Sequence, residues 1–148
     1  MTTAVLRSWA LALGLVLVSA RASAQATPQA TPDWTALAAE DVVQVVTHDA
    51  EGELRDTTVW LAVVDGQGYV RTGATRWRAN LDREPDCVFR IAGKEYALRA
   101  QHVTDADLIA RVNAVFRDKY GFSDRMLGWF GDPANAYFIA LVARPPAP

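Results

Sequence analysis

The chain has 148 residues, 51% of them hydrophobic, with 15 basic against 17 acidic side chains and a net charge of -2. This balance lacks the basic excess of a nucleic-acid-binding face, and the single cysteine, Cys87, excludes an intrachain disulfide. Stability must come from packing, and the length suits one domain built on one main core.

The first 24 residues read as a cleaved export signal. Arg7 supplies the positive start, Trp9 to Val18 form an unbroken apolar run, and Ala22-Ser23-Ala24 is a small-residue cleavage site ahead of Gln25. A bilayer span needs about 20 apolar residues, so this run is expected to be removed rather than kept as an anchor. The mature protein is then exported, periplasmic or secreted, and free of the membrane. Arg7 and Arg21 leave with the signal, so 13 basic residues face 17 acidic ones in what remains. Residues 25–32 contain Pro28 and Pro32 among small polar residues and read as a flexible leader before a domain over 33–148.

Thr31 or Asp33 is placed to cap a short helix reaching Glu40, with Pro32 in its first turn. From Val42 to Thr47 the pattern becomes β-branched and apolar, Asp49-Ala50-Glu51-Gly52 is a turn, and Thr57 to Val64 is a second strand. Asp65-Gly66-Gln67-Gly68 turns the chain into a third strand, Tyr69 to Thr72. A short helical piece, Thr75 to Leu81, precedes a hairpin of Cys87 to Ile91 and Tyr96 to Val103 around Ala92-Gly93-Lys94. Alternation of Tyr96, Leu98, Ala100 and His102 with Ala97, Arg99, Gln101 and Val103 predicts a sheet with one wetter face. Thr104 is expected to cap the longest helix, which Leu108, Val112, Val115, Phe116 and Tyr120 mark by spacing and Gly121 ends. Tyr137 to Val142 is the last strand. About six mostly antiparallel strands with one long packed helix and short flanking helices predict an α+β domain, a closed or partly closed β-barrel.

The chemistry-bearing residues gather on about 25 positions. Arg55, Thr57, Thr58 and Trp60 occupy one strand; Arg71, Thr72, Gly73, Thr75, Arg76, Trp77 and Asn80 occupy the next strand, its loop and the following helix. Hydroxyls, a glycine and guanidinium groups are a phosphate-gripping set, since Arg forms paired bonds to phosphate and a glycine lets the backbone approach. Each also has a plain structural reading: Thr57 and Thr58 as strand formers, Arg71, Arg76 and Arg78 as a solvated face pairing with Asp82 or Glu84, Trp60 and Trp77 as core or dimer-interface aromatics. His48 and His102 have no ligand pattern beside them, so no metal site is expected, and Cys87 reads as an inert buried thiol. No catalytic triad is visible.

The Thr-Thr-apolar-Trp strand, Tyr-Val-Arg running into Arg-Trp-Arg-Ala-Asn-Leu, the Val-Phe-Arg-Ile-Ala-Gly-Lys-Glu-Tyr hairpin and the Phe-Arg-Asp-Lys-Tyr-Gly helix end resemble an uncharacterised split-β-barrel family. That family is related to the deazaflavin-dependent nitroreductases and, more distantly, to the pyridoxamine-phosphate oxidases. The resemblance spans roughly Asp33 to Ala143 and implies a homodimer with FMN or a deazaflavin in a groove between barrels. By position it implies that Arg55, Thr57 and Thr58 face the phosphate or ribityl chain, that Arg71, Thr72, Gly73, Thr75 and Arg76 line the next loop, and that Trp77 and Asn80 fix the following helix. The stretch Asp49 to Leu54 is acidic where the nitroreductases are basic, and Val59 replaces a proline. Apolar surface of the Trp60 and Phe89 type is expected to be shared between two copies. Two functions follow as expectations: a flavin- or deazaflavin-dependent oxidoreductase of open substrate, or a barrel that stores a small apolar or tetrapyrrole-like ligand without turnover.

Overall fold

The computed structural model describes residue 28, residues 31–126 and residues 136–145. The expected signal peptide, residues 1–24, and most of the leader lie outside the described residues. Six strands close a ring: β1 (Val42–His48), β2 (Leu54–Val64), β3 (Gln67–Thr72), β4 (Asp86–Ile91), β5 (Lys94–His102) and β6 (Tyr137–Ala143) stand in the order β1-β2-β3-β6-β5-β4. Every pairing is antiparallel. Helix α1 (Arg76–Arg83) follows β3, and α2 (Ala106–Met126) precedes β6. This is an α+β split barrel, as the patterning predicts. Among the described residues no helix is long and apolar enough to cross a membrane.

Local chemistry makes the hairpins. Asp65 and Gly66 both take positive φ, 52° and 72°, and so do Ala92 and Gly93, 49° and 74°; paired left-handed residues are what a two-residue turn needs to match strand twist. Between β1 and β2 the Asp49 carboxylate accepts from the Glu51 and Glu53 N–H groups, at 3.1 and 2.8 Å.

Period-two alternation then sorts the side chains into two cores. Val43, Val45, Leu61, Val70, Phe89, Ile91, Leu98, Ile139 and Leu141 fill the barrel. Their neighbours Ala62, Tyr69, Phe138 and Ala140 point outward, where Val112 and Phe116 of α2 cover them. Trp34 and Leu37 stop one barrel end: the Trp34 ring lies so close to β3 that a Cβ on Gly68 would fall 2.2 Å from it. Trp77 and Leu81 of α1 close the other end, where Asn80 Nδ2 donates to Thr47 Oγ1 (3.1 Å).

Several local expectations are corrected. Residues 34–39 form turns rather than a helix, although Asp33 caps them by accepting from the Thr35 and Ala36 N–H groups. So short a segment cannot offset helix nucleation, and burying Trp34 and Leu37 sets its path instead. Asp105, not Thr104, caps α2 by accepting from Leu108 N–H at 2.7 Å. Gly121 (φ 41°, ψ -107°) breaks the α2 axis without ending the helix, which resumes to Met126. Phe89 is fully buried inside the barrel, and among the described residues the exposed large apolar side chains are Val42, Leu54 and Tyr137 instead.

Candidate functional site

The barrel is split between β2 and β3. β2 pairs with β1 from Leu54 to Trp60, but with β3 only from Leu61 to Val64, because β3 turns away after pairing with β6 at Thr72. The divergence opens a cleft of about 570 Å3 lined by Val42, Thr57 to Trp60 on one wall and Arg71 to Thr75 with Trp77 on the other. Most of the lining is apolar or hydroxylic, and among the described residues its one basic side chain is Arg71.

The second wall is held from behind. Thr75 caps α1 by accepting from Arg78 N–H (3.4 Å), and its hydroxyl also meets that of Thr72 at 2.9 Å. The first turn of α1 carries no acid, so its N-terminal partial charge faces the cleft rim undiminished. Arg71 is 6% exposed: Nη1 donates to Asn113 Oδ1 (2.6 Å) and the guanidinium lies 4.8 Å from the centre of the Phe116 ring. It is a buried tie between β3 and α2, not part of a solvated face.

The first wall is anchored at Leu61. Tyr120 accepts from Leu61 N–H (3.2 Å), and its hydroxyl hydrogen serves the carbonyls of Asp41 (2.5 Å) and Leu61 (2.6 Å), one at a time. Burial pushes the Tyr120 phenol up to about 12, the Leu61 contact opposing it and the Asp41 charge adding to it. Lys119 Nζ donates to the carbonyls of Leu61 (3.2 Å), Ala38 (3.3 Å) and Glu40; its burial lowers the ammonium's pKa against the pull of Asp41 and Glu40. Trp60 stacks on Tyr120, which stacks on Phe116.

The structure thus brings Thr57, Thr58, Trp60, Arg71, Thr72, Gly73, Thr75 and Trp77 to one cleft. It does not bring three others there. Arg55 turns to Asp49 at the β1–β2 hairpin (2.7 Å), which holds that carboxyl below its usual range and answers the acidic run. Asn80 is buried between Thr47 and Arg83, linking α1 to β1. Arg76 is exposed beside Thr75 and is not a lining residue. Arg78 pairs with Asp82 (3.0 Å) and lies over the Tyr137 ring. Sequence reasoning missed Val42, Val59 and Ala74 in the lining and Asn113, Phe116 and Tyr120 behind it. For Phe116 and Tyr120 the helical spacing marked a packed face but not the strand that face meets, and Asn113 carried no signal in the sequence. Among the described residues no group of three or more His, Cys, Asp or Glu is placed to hold a metal ion, and burial pushes the Cys87 thiol up to about 12.

Solved structures share this architecture. A conserved hypothetical protein from Mycobacterium tuberculosis matches with a TM-score of 0.60 at 18% identity, covering 80% of this chain and 87% of that one. The heme storage protein HutZ from Vibrio cholerae matches with a TM-score of 0.58 at 16% identity, covering 80% and 92%. A candidate pyridoxamine 5'-phosphate oxidase from Listeria innocua matches with a TM-score of 0.54 at 14% identity, covering 71% and 85%. At such identities the likeness is one of fold. No curated protein matches the sequence at a significant level. The family model described as an uncharacterized protein conserved in bacteria, DUF2255, matches residues 33–136, and the chain belongs to that family.

Proposed function

We propose that this protein binds a flat small molecule in the cleft between β2 and β3, and that the ligand is a flavin or a deazaflavin serving an oxidoreductase reaction. The observation that carries this reading is the cleft itself: its volume of about 570 Å3 falls in the range of ligand pockets, and apolar walls surround a few fixed polar groups. The ring system would lie between Val42, Val59 and Trp77, with its polar tail toward the Thr72 and Thr75 hydroxyls and the start of α1. A bound flavin supplies the electron or hydride transfer, so the chain's own residues need only bind, orient and exclude water. Of the anion-binding set expected from the sequence, Thr57 faces the cleft and Arg76 borders it at the α1 end.

A tetrapyrrole stored without turnover is the second reading, drawn from the fold shared with the heme storage protein. Among the described residues, the cleft lining contains no imidazole, thiol or thioether to ligate a heme iron, which ranks this reading second. We further propose an exported protein, cleaved before Gln25, that forms a homodimer. A measured mass that matches the chain from Gln25 onward, with the first 24 residues gone, and a sedimentation coefficient above that of a monomer, are the expected results. The ligand reading is tested by the absorption spectrum of the purified native protein and by titration with flavin mononucleotide, a deazaflavin and heme. Absence of binding by both flavins would sink it.

A further inference from the structure

The two walls of the cleft offer different chemistry. The Thr72–Thr75 wall presents side chains, and the β2 wall adds to its side chains a length of backbone beside which no strand is paired among the described residues. From Leu54 to Trp60, β2 is paired with β1 on one side, and among the described residues no strand is paired on its other side. Leu61 sets the phase, because its N–H donates to Asp41 O at 3.0 Å, toward β1. The N–H and C=O of one antiparallel residue point the same way and alternate along the strand. Val59 and Thr57 therefore turn theirs to β1, and Thr58, an exposed lining residue, turns its N–H and C=O into the cleft.

A strand residue with no partner strand is half of a two-bond pair, and its complement is a planar group carrying an acceptor beside a donor. An added peptide strand has little room to run here, since β3 rejoins β2 at the Leu61–Val70 pair. We infer that the cleft recognises its flat ligand by an imide edge, the ligand N–H donating to Thr58 C=O while the adjacent carbonyl accepts from Thr58 N–H. This inference rests on the small-ligand reading above and narrows it. The pyrimidinedione ring of flavins and deazaflavins carries such an edge, as does uracil, whereas a porphyrin does not.

The test uses lumiflavin, which has the imide but neither ribityl chain nor phosphate, and 3-methyllumiflavin, in which a methyl replaces the imide hydrogen. Both are titrated into the wild-type protein by fluorescence, with uridine as competitor, and the Thr58 amide is followed by NMR. Methylation is expected to weaken binding by about tenfold or more, as loss of a paired contact inside an apolar cleft should. The Thr58 amide proton should move downfield with lumiflavin and not with its methyl analogue. Equal affinities, or a lumiflavin complex with an unmoved Thr58 amide, overturn the imide edge and leave the flavin reading standing. Binding of neither compound overturns both. Displacement of lumiflavin by equimolar uridine keeps the imide edge and moves the ligand class to pyrimidine nucleosides.

Discussion

Trp60 of β2 and Tyr120 of α2 lie face to face, their ring centroids 4.5 Å apart and their planes 4° from parallel. The stack joins the cleft wall to the helix behind it, at the level where β2 loses β3 as a neighbour. A strand with a missing partner needs support from elsewhere. Tyr120 gives it twice, by ring contact to Trp60 and by hydrogen bonding at Leu61.

Tyr120→Phe keeps the ring and deletes the hydroxyl, leaving Leu61 N–H with Asp41 O alone. A cost of about 1–2 kcal/mol is expected from urea unfolding. The pH dependence has a definite sign. The folded phenol titrates at about 12 and the unfolded one near the ordinary tyrosine value of 10.0, so the neutral form is favoured by folding. Its stabilisation is complete below pH 10 and disappears as pH rises toward 12. Wild type should therefore lose more stability over that window than Tyr120→Phe. Parallel curves for the two proteins would show that the phenol is not held neutral.

Gly68→Ala places a methyl about 2.2 Å from the Trp34 ring, too close without movement of the indole. Overpacking of this kind should cost about 1–3 kcal/mol. In a Trp34→Leu background the same methyl finds space, so the two substitutions together should cost less than their separate sum. Additive losses would mean that the indole does not stop the barrel end.

The barrel was legible because β-branched runs such as Val42 to Val46 alternate with turn dipeptides such as Asp65-Gly66, and each signal is local. The N-terminal turns were not legible, since the Asp33 cap looks the same whether a helix follows or Trp34 dives into the barrel mouth. Within the site, Thr72, Gly73 and Thr75 come from one short stretch and were found together. Arg55 was grouped with them by sequence closeness, yet its guanidinium faces Asp49, and that choice depends on a hairpin geometry no spacing rule reports. Tyr120 lies 60 residues from Trp60 in the chain, and only closure of the fold sets them in contact.

Cys87 should behave as a core group. With its thiol pushed up to about 12 by burial, it presents almost no thiolate at pH 8, whereas an exposed thiol near 9 reacts readily. Labelling by a disulfide reagent in native buffer is expected to be slower than in denaturant by about a hundredfold or more, following the rare unfolded population. Fast native labelling would place Cys87 at the surface.

Thr75 joins the fold to the cleft, because one hydroxyl caps α1, touches Thr72 and lines the cavity. Thr75→Ser keeps the oxygen and should preserve both stability and ligand affinity within about twofold, Ser and Thr being comparable caps. Thr75→Val keeps the shape but removes the acceptor from Arg78 N–H, and should cost about 1 kcal/mol of stability. If the polar tail of the ligand sits at the start of α1, the valine variant should also lose about tenfold in flavin mononucleotide affinity, while Arg55→Ala, whose guanidinium faces Asp49, loses none. The comparison is made by titrating all three variants beside wild type. A loss confined to Arg55→Ala would move the ligand's anionic end to the β1–β2 hairpin and away from α1.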